Sequence, residues 1–126
     1  MHTFILQDWT TIRANIAGST VVQSEDTWLD LSAFQDVFFW VDVREVTGTV
    51  TLFFDTSPTA DESLFQPLVA GGQALTASTT PTLVRAPMAS ASVPVARYVR
   101  WRATGSGANP WDATFRVVLA ANSPGM

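Results

Sequence analysis

The sequence has 126 residues, enough for one domain with one hydrophobic core, and it contains no Cys, which excludes disulfides and thiolate chemistry. Its net charge is −4 and all seven basic residues are Arg, so it lacks the basic footprint of a general nucleic-acid binder. Charged residues make up only 14% of the chain, against about 25% in typical soluble domains. We expect a partner to cover part of the surface, and the alternative is a thermally robust monomer with a Thr-rich face.

The N-terminal segment, residues 1–15, is predicted to be an arm or a first strand, followed by a single β-sandwich domain over residues 16–126. Met1-His2-Thr3 has no basic start and the following apolar run is short, so neither a secretory signal nor a membrane span is expected. Residues 8–16 can form at most one short helix. Residues 19–23 and 27–31 are typical of short strands.

The clearest strand pattern is Val37–Val43, where apolar residues occupy both alternating faces. Because both faces are apolar, this strand is predicted to be central in its sheet and covered on both sides. Gly48 marks a turn and residues 49–55 form the returning strand, so the two strands are predicted to pair as a hairpin.

The second half of the chain alternates loops and strands. Residues 55–62 have the composition of a loop, and short strands are predicted at 64–69 and 83–85. Residues 88–93 lie between two Pro residues and can form only an edge strand or a loop. Longer strands are predicted at 95–103 and 111–120. Eight or nine strands, with at most one short helix, predict an all-β, antiparallel, jelly-roll-like β-sandwich, with a small closed barrel as the alternative.

Few residues of the chain are suited to catalysis. The single His, His2, lies at the end of the chain, and the common nucleophile and zinc arrangements are missing. Glycoside hydrolysis needs two facing carboxylates in a groove, and the sequence pattern does not place such a pair in an aromatic-lined groove. Asp55, Asp61 and Glu62 lack the spacing of a calcium loop and favour a solvated acidic loop in which Asp55 bonds to its own segment. We therefore expect no enzyme, no cofactor and no metal site.

An arginine-rich strand, Arg97-Tyr98-Val99-Arg100-Trp101-Arg102, is the most distinctive local feature. Arg and aromatic residues are enriched at protein interfaces, so Arg97, Arg100 and Arg102 are candidate partner contacts. The alternative is that Arg100 and Arg102 pair across strands with acids such as Asp42 or Asp112.

The five Trp residues suggest a second possibility. Trp40 and Trp101 lie in strong strand patterns and are expected to be buried, whereas Trp9, Trp28 and Trp111 lie near predicted turns. Exposed aromatic side chains can stack on sugars, so a carbohydrate-binding module is the alternative function.

Several segments occur in an order that resembles a known group of proteins. They are Thr27–Val37, which continues into the strand Phe38–Val43, then Glu45–Gly48, Phe53–Pro58, Asp61–Phe65, Ala96–Arg102 and Thr114–Val117. This order, over residues 18–121, resembles small β-sandwich virion proteins of tailed bacteriophages, most of all head decoration (cement) proteins.

The resemblance implies a viral structural protein that is made in the host cytoplasm and binds the outer surface of the head. Its implied partners are the major capsid protein and further copies of itself, in a homotrimer, with no nucleic acid and no membrane. The resemblance implies no catalytic residues. Phe4, Ile5 and Trp9 are predicted to contact the shell or a neighbouring copy. A tail, neck or fibre role is the alternative, since similar sandwiches serve there too.

Overall fold

The computed structural model describes residues 2–14, 19–31, 34–68, 72–86, 95–106 and 110–122. These ranges contain ten β-strands, two single 3₁₀ turns (Glu25–Thr27 and Glu62–Leu64) and no α-helix. None of their helical segments is long and apolar enough to cross a membrane. The predicted edge strand or loop at 88–93 lies outside the described residues. The strands are β1 His2–Ala14, β2 Thr20–Val22, β3 Leu29–Asp30, β4 Asp36–Thr47, β5 Thr49–Ser57, β6 Gln66–Pro67, β7 Gln73–Ala74, β8 Thr82–Ala86, β9 Tyr98–Ser106 and β10 Trp111–Asn122.

The strands form two antiparallel sheets. The first sheet has the order β1-β10-β4-β8, and the second has the order β2-β9-β5-β6. The short β3 pairs with β9 on the same side as β2, and the short β7 pairs with β5 on the same side as β6. Each sheet is therefore four strands wide, and the predicted all-β antiparallel sandwich is confirmed.

The chain passes repeatedly from one sheet to the other, as in a jelly roll. It crosses between β4 and β5, between β8 and β9, and between β9 and β10. The predicted hairpin of β4 and β5 is therefore wrong: β4 pairs with β10 and β8, while β5 pairs with β9. Gly48 has a φ of 83°, a left-handed conformation that lets the chain turn between the sheets at this point.

The hydrophobic core lies between the two sheets. Phe115, Val117 and Leu119 of β10 are fully buried, as their alternation predicts. The ring of Phe39 in the first sheet stacks on Phe54 in the second, with centroids 3.9 Å apart. Trp101 meets Phe115 edge to face at 5.2 Å, so two aromatic pairs join the sheets. The expected burial of Trp101 is confirmed.

The N-terminal segment forms the edge strand β1, which pairs with β10 from His2–Ala121 to Ala14–Trp111. The helix considered for residues 8–16 is not formed over 8–14, because that stretch belongs to β1. Register shifts between Ile5 and Thr10 interrupt the alternation. Leu6 is consequently buried, and the neighbouring Gln7 accepts a 3.1 Å hydrogen bond from the indole N–H of Trp101.

A buried amide, Gln23, ties β1 to the second sheet. Its Nε2 donates to the carbonyl oxygens of Leu6 (2.8 Å) and Thr27 (2.9 Å). Its Oε1 accepts from the backbone N–H of Trp101 at 3.1 Å. Because Gln23 is only 2% exposed, these bonds form away from water, and removing the amide leaves buried backbone groups unpaired.

Candidate interaction surfaces

Arg97, the first of the three Arg residues predicted to contact a partner, lies exposed just before β9. Its Nε donates to Asp30 Oδ2 at 3.1 Å, and both side chains are about half exposed. This hydrogen bond raises the pKa of Arg97 above its ordinary value, and charge interactions with Tyr98 and Asp30 add to the effect. The guanidinium of Arg97 is charged and accessible to a partner.

Arg100, the second of these residues, is buried in the chain's own fold. It lies opposite Asp55 of β5, with Nε 3.6 Å from Oδ2 and side-chain exposures of 7% and 4%. Its guanidinium carbon lies 4.0 Å from the Phe65 ring centre and 5.4 Å from that of Trp28, and Glu62 lies 3.6 Å from Nη1. Arg100 therefore does not reach a partner in this conformation.

Arg102, the third residue, shares the same carboxylate. Its Nε donates to Asp55 Oδ2 at 3.1 Å, its guanidinium covers the Phe53 ring at 4.2 Å, and its side chain is 27% exposed. Cross-strand pairing, the alternative for Arg100 and Arg102, is thus observed, but the acid is Asp55. The suggested partner Asp42 instead accepts a 2.7 Å hydrogen bond from Arg116.

The acidic segment after β5 is organised by local hydrogen bonds. Asp55 belongs to β5 and binds Arg102, so the predicted bond of Asp55 to its own loop is wrong. Asp61 accepts from the hydroxyl of Ser63 (2.7 Å) and from its backbone N–H (3.0 Å), and these two bonds lower the pKa of Asp61. Within the described ranges, no three His, Cys, Asp or Glu side chains are grouped so that they could hold a metal ion.

A row of apolar side chains crosses the outer face of the first sheet. Ile5 lies opposite Val118, Val118 opposite Trp40, and Trp40 opposite Leu83, so the row spans all four strands. Ile5 is 61% exposed, Trp40 36% and Leu83 38%. In the adjacent row, Ala120 lies opposite Phe38. We call this set the outer apolar patch; its members are Ile5, Phe38, Trp40, Leu83, Val118 and the buried Ala120, which is 7% exposed.

The patch corrects two expectations for β4. The strand is central in its sheet, but only the face that carries Val37, Phe39 and Val41 is buried between the sheets. The other face carries Trp40, which was expected to be buried and is exposed. Apolar residues on both faces of a strand predict that both faces are covered, but they do not show whether the chain itself or a partner supplies the cover.

Trp9 lies close to the outer apolar patch, between two guanidinium groups. Arg44 lies 4.5 Å and Arg116 5.1 Å from the centre of its ring, which is cation–π geometry. These side chains and Asp42 line an open depression of ≈ 620 Å³. Trp9 is 39% exposed and, like Ile5, is placed where a partner can reach it.

Phe4, the remaining predicted contact, packs inward. It is half-buried against the core, and its ring meets Phe34 edge to face at 5.5 Å. Phe4 therefore contributes mainly to the chain's own packing. The structure does not bring the six predicted contacts together, because Ile5 and Trp9 belong to the first sheet while the three Arg residues lie at the second.

A second open depression, of ≈ 600 Å³, is lined by Trp28, Tyr98, Glu25 and Asp26, among others. The indole N–H of Trp28 donates to the Gln23 carbonyl at 3.0 Å, which fixes the ring. Trp111, the other Trp predicted near a turn, is 3% exposed, so its suggested role as a sugar platform is wrong.

Comparison with known proteins shows that the fold of this chain is similar to that of solved structures. No protein-family model and no curated protein matches the sequence. The chain is similar to the structure of infectious bursal disease virus Gx strain, with 13% identity and a TM-score of 0.50, over 98% of this chain and 33% of the viral chain. It is similar to a VP2 subviral particle of the same virus, with 11% identity and a TM-score of 0.51, over 98% and 32%.

The chain thus spans about one third of the viral chains that it matches. At this identity the likeness shows the fold alone. The fold is a β-sandwich of the type found in a viral capsid protein.

Proposed function

We propose that this chain is a structural protein of a virion that decorates the outer surface of a head. The observation that carries the proposal is a jelly-roll sandwich that aligns with viral VP2 over 98% of its length and keeps an apolar patch on its outer face. A patch of this kind is typical of a surface that another protein covers. The order of segments that resembles tailed-phage cement proteins supports the head as the location.

The proposed partners are the major capsid protein and further copies of this chain, arranged as homotrimers on the shell. Exposed residues supply the contacts: Ile5 and Trp9 on the first sheet, and Arg97 and Arg102 at the second. A shell repeats the same binding position many times, so that individually weak contacts add through multivalency. Arg100 is left out of the proposed contacts because its side chain is 7% exposed and pairs with Asp55.

Co-sedimentation tests this proposal. Shells assembled from the major capsid protein of the same genome are mixed with the purified chain and pelleted. We expect saturable binding at a fixed ratio to the capsid protein, and at least tenfold weaker binding for Trp9→Ala or Arg97→Ala. Leu64→Ala, which removes an exposed apolar side chain from the 3₁₀ turn Glu62–Leu64, is the control. A chain that stays in the supernatant at every concentration contradicts the proposal.

Glycan binding is the second candidate, and the depression beside Trp28 favours it. An aromatic face next to the carboxylates of Glu25 and Asp26 and the phenol of Tyr98 offers both stacking and hydrogen bonds to sugar hydroxyls. A glycan array gives the test, with Trp28→Ala as the variant that should lose binding. An array without signal removes this candidate.

A further inference from the structure

We propose that the outer apolar patch is the surface through which two copies of this chain pair face to face. The pair is related by a two-fold axis parallel to the strands, between β10 and β4. This inference goes beyond the proposed function, because it concerns free copies of the chain in solution.

The first argument is the arrangement of the apolar row. A two-fold axis in this direction reverses the strand order of the facing copy, so that β1 lies over β8 and β10 lies over β4. The apolar row of one copy therefore lies over the same row of the second copy. Ile5 of one copy faces Leu83 of the second copy, and Val118 faces Trp40. Every member of the row meets an apolar side chain.

The second argument is the size of the facing side chains. Both large residues at the centre of the patch, Phe38 and Trp40, lie on β4. Their cross-strand neighbours on β10 are the smaller Ala120 and Val118. The same axis sets β4 over β10, so each large aromatic side chain faces a small one, as close packing requires.

The third argument is charge. The row next to Trp40 carries Arg116 on β10 opposite Asp42 on β4, with side-chain exposures of 41% and 20%. The axis places Arg116 of each copy over Asp42 of the other, so that unlike charges meet twice.

The fourth argument is area. Strands about 4.8 Å apart, whose residues rise about 3.4 Å each, give a flat face of about 520 Å² when roughly nine residues are counted on each of β1, β10 and β4, together with the 5 residues of β8. Because the side chains protrude from this plane, the accessible surface of the face is larger than its flat area. Each partner in a standard-sized interface contributes about 800 Å² of accessible surface, so the face is large enough for a specific pair.

The first test is the mass of the free chain by analytical ultracentrifugation. We expect two copies per particle, and half of that mass for Trp40→Glu and for Leu83→Glu, with an unchanged far-UV circular dichroism spectrum. Leu64→Glu changes an apolar residue that is 45% exposed and lies in the 3₁₀ turn Glu62–Leu64, away from the patch, and this variant should keep the full mass. A wild-type chain that is monomeric at every concentration, or that has the mass of three copies, overturns the proposal.

The second test fixes the direction of the axis. In the proposed pair, position 116 of one copy faces position 42 of the other. Asp42→Arg makes both of these positions positive, and Arg116→Asp makes both negative, so each variant alone should be monomeric. Mixed in equal amounts, the two variants place unlike charges opposite each other and should form a mixed pair. A mixture that remains monomeric while the wild type pairs contradicts this axis.

Discussion

Arg100 and Asp55 form an ion pair inside the second sheet, with Arg100 Nε 3.6 Å from Asp55 Oδ2 and each side chain less than one tenth exposed. Arg102 binds the same carboxylate from the next position on that face of β9. Two guanidinium groups thus share one buried acid, and Glu62 approaches Arg100 from the solvent side. The cluster joins β5 to β9 and holds Arg100 away from the surface.

Asp55→Asn should destabilise the fold by about 3–5 kcal/mol, because it leaves the positive charge of Arg100 buried without its main counter-charge. Urea unfolding followed by Trp fluorescence measures the change. Arg97→Gln removes the cation of the exposed pair with Asp30 and should shift the midpoint little, since exposed pairs contribute little. Equal effects of the two substitutions contradict this role for Asp55.

Gly105→Ala should destabilise the fold by about 1–3 kcal/mol through overpacking. A Cβ at this position of β9 would overlap the pyrrole edge of the Trp111 indole. Trp111→Phe removes that edge, so the cost of Gly105→Ala should be smaller in the Trp111→Phe background. Thermal unfolding of the wild type, the two single variants and the double variant measures this coupling. Additive effects would show that the indole is not the obstacle.

Gln23→Leu should destabilise the fold by about 2–3 kcal/mol, because the buried N–H of Trp101 and the carbonyl of Leu6 lose their partner. Hydrogen exchange gives a more local readout, with faster exchange expected at the Trp101 amide. Gln66→Leu, at an exposed position of β6, is the matched control. An unchanged exchange rate at Trp101 would refute the role of this amide.

Protonation of Asp61 should lower the stability of the fold at acidic pH. The hydrogen bonds from Ser63 hold the folded-state pKa of Asp61 below its ordinary value of 3.8. The resulting stabilisation is fully present above that value and is lost as the pH falls through the lowered folded-state pKa. Asp61→Asn should therefore lose less stability than the wild type between about pH 6 and about pH 2.5. Glu45→Gln serves as the control, and identical pH profiles of wild type and Asp61→Asn would contradict this.

The main strands follow from the sequence because alternation of apolar residues reports burial directly. The strand at 111–120 is confirmed with its inward residues, and the strands at 37–43 and 95–103 are confirmed with shifted ends. The alternation carries no information about which strands pair. For this reason the turn at Gly48 suggested a hairpin, although it joins two sheets.

The candidate sites were less predictable because they depend on long-range pairing. Arg100 and Asp55 are 45 positions apart, and only the register of β5 and β9 makes them neighbours. The outer apolar patch needs the register of four strands, from Ile5 to Val118. The apolar outer face of β4 predicts a covered face, but the sequence pattern does not show what covers it.

Electron cryo-microscopy of shells incubated with the purified chain tests the central claim, a structural role in the virion, most directly. The shells are assembled from the major capsid protein of the same genome and imaged with and without the chain. The account predicts added density at regular lattice positions on the outer surface, into which the two-sheet sandwich fits. Shells that remain bare at saturating concentrations would contradict it.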